Sequence, residues 1–113
     1  MKNYIPDRGD IVWLTFNPQE GHEQRGRRPA LILSPKDYNL KTSLASMCPI
    51  TSKIKNYPFE VILPEKLSIK GVILSDQIKN LDWSVREAEY CCKIDNTILE
   101  DVLAKIKALL FNI

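Results

Sequence analysis

The segment Gly21-His22-Glu23-Gln24-Arg25-Gly26-Arg27-Arg28-Pro29 gathers the residue types that phosphodiester cleavage needs. That reaction wants a proton acceptor for the attacking hydroxyl, a proton donor for the leaving oxygen, and cations beside the phosphorane. Glu23 and His22 can trade protons. Arg25, Arg27 and Arg28 bring guanidinium forks that match phosphate oxygens in pairs. His22 is the chain's one histidine, and histidine is the side chain that titrates near neutrality by default. The same run also fits a solvated loop or a plain anion-binding surface. Arg28 differs from its neighbours because an apolar stretch, Ala30 to Leu33, follows it closely and can hold its guanidinium in place.

Thr51-Ser52-Lys53, with Lys55 beyond, is a second polar cluster. Hydroxyls and lysines at a strand end suit phosphate contacts, and they also suit an ordinary hairpin loop. Trp13, Phe16, Phe59 and Trp83 can stack on bases, although core packing accounts for most of them. Asp76-Gln77 interrupts an apolar stretch, as a site floor or a turn. No phosphate-cradling glycine loop and no Gly-x-Ser-x-Gly elbow occurs. Neither Cys-x-x-Cys nor a carboxylate cluster suggests zinc or magnesium, so no metal and no cofactor is expected. A nuclease built from these residues would use the substrate's own 2′-hydroxyl, held next to phosphorus by proximity. RNA has that group and DNA lacks it.

Short strands and turns must position these residues. Asp10 to Phe16 is rich in β-branched and aromatic residues and reads as a strand. Asn17 to Arg28 reads as a long polar loop, and Pro29 to Leu33 as a strand buried on both faces. Ser34 is placed to cap a short helical turn over residues 35–39. Further strands are expected at Ser43 to Ile50, Pro58 to Leu63, Gly71 to Leu74 and about 85–94, with 76–83 of uncertain type. Then the period changes: Ile98, Leu99, Val102, Leu103, Ile106, Leu109 and Leu110 share one helical face. Asp95, Asn96 or Thr97 can cap that helix, and Thr97 with Glu100 fits a capping box. The fold class expected is mainly β with helices: a small antiparallel barrel with a C-terminal helix packed on it.

The chain has 113 residues, enough for one domain over 1–113 and one core. With 44% apolar and 27% charged residues it has a globular composition. Apolar runs stop at four or five residues, far short of the roughly 20 a membrane span requires. The N-terminus lacks the apolar stretch of a signal peptide, so a cytoplasmic address is expected. Cys48, Cys91 and Cys92 do not make a disulfide framework, and adjacent residues of an extended strand point to opposite faces. Residues 1–58 hold nine Lys and Arg against five Asp and Glu, whereas residues 59–113 hold seven against nine. The first half is the better candidate for an anionic partner.

Several motifs, weak singly and specific in order, resemble the MazF/PemK-type toxins of bacterial type II toxin–antitoxin systems. They are Pro6-Asp7-Arg8-Gly9-Asp10-Ile11-Val12-Trp13, Gly21-His22-Glu23-Gln24 through Arg28-Pro29-Ala30, Leu33-Ser34-Pro35 with Tyr38-Asn39, Pro49-Ile50-Thr51, Tyr57-Pro58-Phe59-Glu60-Val61 and Asp76-Gln77-Ile78-Lys79. The resemblance implies an SH3-like barrel, usually a homodimer. It implies a sequence-specific, metal-independent endoribonuclease that cuts single-stranded mRNA to 2′,3′-cyclic phosphate and 5′-hydroxyl ends. It also implies a MazE-like antitoxin whose acidic, disordered segment covers the RNA groove.

Residue by residue, the resemblance assigns Arg28 to the scissile phosphate and Thr51 to a non-bridging oxygen. Glu23 takes the 2′-hydroxyl proton or orients Arg28. His22, Gln24, Arg25, Arg27, Asn39, Lys53 and Gln77 are expected to hold RNA. The chain departs from many members in having His22 where they have Ser, a more basic Arg25-Gly26-Arg27-Arg28 run, and Lys53 where Gln is common. Three alternatives are a same-fold gyrase-poisoning toxin, a barrel that binds RNA without cutting it, and a purely protein-binding module.

Overall fold

The computed structural model describes residues 4–16 and 26–111. Among these residues, seven strands and two helices follow in order: β1 (Asp10–Thr15), β2 (Arg27–Ile32), α1 (Lys36–Thr42), β3 (Leu44–Thr51), β4 (Glu60–Ile62), β5 (Val72–Leu74), β6 (Lys79–Asp82), β7 (Glu89–Lys93) and α2 (Asn96–Phe111). Every ladder is antiparallel. The hydrogen-bonded path runs β4-β5-β3-β2-β1-β7 and does not close, with β6 attached to β3.

β3 organises the sheet. Its first half pairs with β6, its middle with β2 on the opposite side, and its last residues Ile50 and Thr51 with β5. The alternation of side chains divides the core between two faces. Ile11, Leu31, Cys48, Ile50, Val61 and Ile73 pack on one face. Val12, Leu14, Ala30, Ile32, Ala45 and Met47 pack on the other. β2 is therefore buried on both faces, as its continuous apolar sequence predicts. It starts earlier than predicted, however, and takes Arg27 and Arg28 out of the expected loop and into the ladder opposite Thr15 and Leu14.

α2 lays Ile98, Leu99, Val102 and Ile106 against the first of these clusters. Leu103, Leu109 and Leu110 belong to the predicted apolar face, yet they are exposed. Asp95, whose carbonyl accepts from Ile98 and Leu99, holds the cap position. Glu100 accepts from Asn96 Nδ2 at 3.1 Å, so the Thr97–Glu100 box does not form.

α1 is longer than the expected turn. Its N-cap is Pro35, with no side-chain cap bond, and Ser43 ends it in the left-handed region (φ 63°) instead of opening β3. Residues 76–83 resolve into a turn and β6, and 85–94 into a turn and β7. The Asp82 carboxylate binds the amides of Ser84 and Val85 and so builds the turn between them. The two cysteines of β7 depart from simple alternation. A register shift in the β1–β7 ladder puts both Cys91 and Cys92 against the same apolar cluster. All three thiols are free. Burial, then the Asp76 charge, pushes Cys48 up to about 12; burial, then Cys91, pushes Cys92 up to about 11. No helix among the described residues is long and apolar enough to cross a membrane.

Candidate functional site

β2 carries consecutive arginines, and strand alternation sends them different ways. The Arg27 guanidinium turns inward and is only 17% exposed. It pairs with Glu89 at 3.2 Å and donates to Thr15 Oγ1, Arg86 O and Trp13 O, each at 3.3 Å. Arg27 thus buttresses β1, β2 and β7, and the protein itself occupies the donors that the sequence reading gave to RNA. Arg28 points the other way and is exposed. Among the described residues no carboxylate is paired with it.

The β2–β3 ladder pairs Ala30 with Pro49. That pair ends the ladder, with Arg28 two residues before it on β2 and Thr51 two residues after it on β3. Both line a cavity of about 540 Å³, together with Trp13, Ser52, Lys70 and Gln77. Arg28 and Lys70 bring positive charge to its wall, Arg27 lines it with its guanidinium already paired to Glu89, and no Asp or Glu among the described residues does so. Such a wall attracts an anion without a competing carboxylate.

Thr51 is the last residue of β3, and its Oγ1 accepts the Lys53 amide at 3.1 Å. An oxygen that accepts this amide keeps its own proton to donate elsewhere. Lys53, Lys55, Tyr57 and Glu60 line an adjoining cavity of about 150 Å³, which shares Thr51 and Gln77 with the first. Tyr57 donates to Asp76 Oδ1 at 3.1 Å. Burial and that bond raise the Tyr57 hydroxyl's pKa and keep it protonated.

The site therefore brings together Arg28, Thr51, Lys53 and Gln77 from the sequence reading. Glu23, His22, Gln24 and Arg25 lie outside the described residues. Among the described residues, no three His, Cys, Asp or Glu side chains gather as metal ligands.

Asn39 is the clear correction. It was expected to hold RNA, but it is fully buried. Its Nδ2 donates to Pro6 O at 2.8 Å and Ser34 O at 3.0 Å, and its Oδ1 accepts from Ser34 Oγ at 2.6 Å. Its carbonyl also accepts from Trp83 Nε1 at 3.0 Å. Asn39 ties the N-terminal segment, α1 and the turn before it into one piece. Asn39→Ala will cost about 3 kcal/mol, because it strands buried carbonyls. Urea unfolding will show that loss, while RNA affinity of the folded protein stays at the wild-type value.

Gly71 was read only as the start of a strand. It has φ +126°, and a Cβ there would overlap the Thr51 carbonyl oxygen and lie 2.9 Å from its carbon. The only trace of this in the sequence is a glycine at the edge of an apolar strand.

The sequence matches, over residues 7–110, the family described as PemK-like, MazF-like toxin of type II toxin–antitoxin system. It is 41% identical over 110 residues to the endoribonuclease toxin MazF of Escherichia coli K12, covering 97% of this chain and 98% of that protein. Among solved structures, MazF from Deinococcus radiodurans superposes with a TM-score of 0.87 at 51% identity, over 96% of this chain and 98% of the other. A MazE–MazF structure from the same organism gives 0.87 at 45% identity, with the same coverage of each chain.

Proposed function

The chain belongs to the PemK-like, MazF-like toxin family of type II toxin–antitoxin systems, and on that premise we propose that it is a sequence-specific endoribonuclease of single-stranded RNA. The observation that carries the chemistry is the shared cavity of Arg28 and Thr51, whose described wall holds cations and no carboxylate. RNA lies with its scissile phosphate in that cavity. The 2′-oxygen loses its proton and attacks phosphorus, the bond from phosphorus to the 5′-oxygen breaks, and that oxygen takes a proton from water, so a 2′,3′-cyclic phosphate and a 5′-hydroxyl result. Negative charge grows on the non-bridging oxygens as the phosphorane forms. The Arg28 fork and the Thr51 hydroxyl are donors for those oxygens, and such donors act most strongly where water is displaced. Glu23 accepts the 2′-hydroxyl proton or orients Arg28. Guanidinium groups keep their protons in proteins, so an arginine is a poor base for this step. Lys53 and Gln77 extend the RNA surface beyond the reacting phosphate.

The relatives support the rest of the reading. One solved relative is a MazE–MazF assembly, and we infer that this toxin is likewise held by a MazE-like antitoxin whose acidic segment competes for the cationic cavity. It acts as a homodimer, in the cytoplasm where mRNA is found, and residues 1–113 form one toxin domain.

The test is cleavage of a mixed-sequence RNA by the purified chain in EDTA, with DNA of matched sequence as control. Cuts with cyclic-phosphate ends on RNA alone are the expected result. Retention of RNA by folded, antitoxin-free protein without any cut would replace the enzyme with an RNA-binding barrel.

A further inference from the structure

The stretch between Thr51 and Glu60 carries two lysines and is held at both ends. At its start, the Lys53 amide donates to Thr51 Oγ1. Near its end, the Glu60 carboxylate accepts the amides of Lys55 at 3.0 Å and Asn56 at 2.9 Å. Glu60 can do this because its own amide donates to Tyr57 O at 3.1 Å, which closes a turn at the head of β4. Asn56 sits in the left-handed region (φ 65°), a conformation that Asn tolerates better than most residues. Residues 53–56 form no strand and are exposed, so side-chain bonds to their amides fix their course.

A carboxylate beside a surface for RNA is electrostatically unfavourable. Its presence there calls for a local task that outweighs repulsion, and charge-assisted bonds to two backbone amides are such a task. We propose that Glu60 is a positioning residue for RNA: it pins the 53–56 backbone so that Lys53 and Lys55 present their ammonium groups to the strand leaving the Arg28–Thr51 cavity. This rests on the RNA reading given above. Glu60 touches neither the reacting phosphate nor a proton in transit. It works through the two lysines, by removing the entropy they would otherwise lose on binding.

The two roles open to Glu60 predict opposite signs. Were it only a surface charge, removing it would tighten RNA binding. As a clamp, removing it loosens binding although a negative charge has gone. The experiment measures binding of a mixed-sequence 2′-O-methyl RNA, which cannot be cleaved, by fluorescence anisotropy from low to high salt. Glu60→Ala is expected to weaken binding about tenfold at low salt. It also makes the plot of log affinity against log salt shallower by about 1.4, the loss of two single-strand phosphate contacts at about 0.7 each. Glu60→Gln, which keeps one acceptor oxygen, falls between. With Lys53→Ala and Lys55→Ala already present, Glu60→Ala costs no further affinity. Tighter binding by Glu60→Ala, an unchanged salt slope, or an equal loss without the lysines overturns the proposal. A wild type that neither binds nor cuts RNA overturns instead the RNA reading. A wild type that does both, with Glu60 variants indistinguishable from it, overturns only the clamp.

Discussion

Arg28→Ala will lower the single-turnover cleavage rate by at least about 10²-fold, the scale of losing one donor to a developing oxyanion. The fold should survive the change, because Arg28 is exposed and pairs with no carboxylate among the described residues. Its neighbour is the control. Arg27→Ala removes the Glu89 pair and three backbone or hydroxyl contacts, so it should lower the melting temperature and leave the rate of the folded protein near wild type. Thr51→Ala should also cost about 10²-fold, and Thr51→Ser should recover most of it, since serine restores the hydroxyl. A near-normal rate for Arg28→Ala, measured on RNA the wild type cuts, would remove that residue from the mechanism.

Gly71→Ala will damage stability and catalysis together. Two effects add: a left-handed φ that alanine adopts poorly, and a methyl group driven into the Thr51 backbone. The obstructing atoms are backbone, held by the Thr51–Val72 pairing, so they cannot turn aside as a flexible side chain would. The expected cost is about 3 kcal/mol or more in urea unfolding. Relief of the overlap must also move Thr51, and a displacement near 1 Å at a reacting centre costs on the order of 10²-fold. The rate per folded molecule therefore falls as well. An alanine variant with wild-type stability and rate would show that the β3–β5 junction yields without cost.

The strands that bury a continuous or alternating apolar pattern were legible in the sequence, and so was the helix from its three-and-four spacing. Boundaries were lost where a polar residue joins a ladder. Arg27 and Arg28 look like loop residues in composition, yet they pair with Thr15 and Leu14 because β1 is long enough to reach them. Leu103, Leu109 and Leu110 fit the helical period, but the fold leaves them exposed. Within the candidate site, Arg28, Thr51, Lys53 and Gln77 could be named from type and position. Asn39 was given to RNA by the resemblance alone, and nothing in its local sequence signals that it is buried. Its burial depends on carbonyls of Pro6 and Ser34, one of them far away in sequence. Gly71 and Glu60 were missed as site residues for a related reason: each acts on the backbone of another segment, and no local pattern records that.

The division of labour between Arg27 and Arg28 rests on parity alone. Insertions and deletions ahead of Arg27 leave that parity untouched. One residue gained or lost between Arg28 and Ala30 would exchange the jobs of the two arginines, facing the buttress outward and the proposed phosphate ligand inward. Descendants of this sequence that keep both jobs can therefore change the type of residue between Arg28 and Ala30, but not the number.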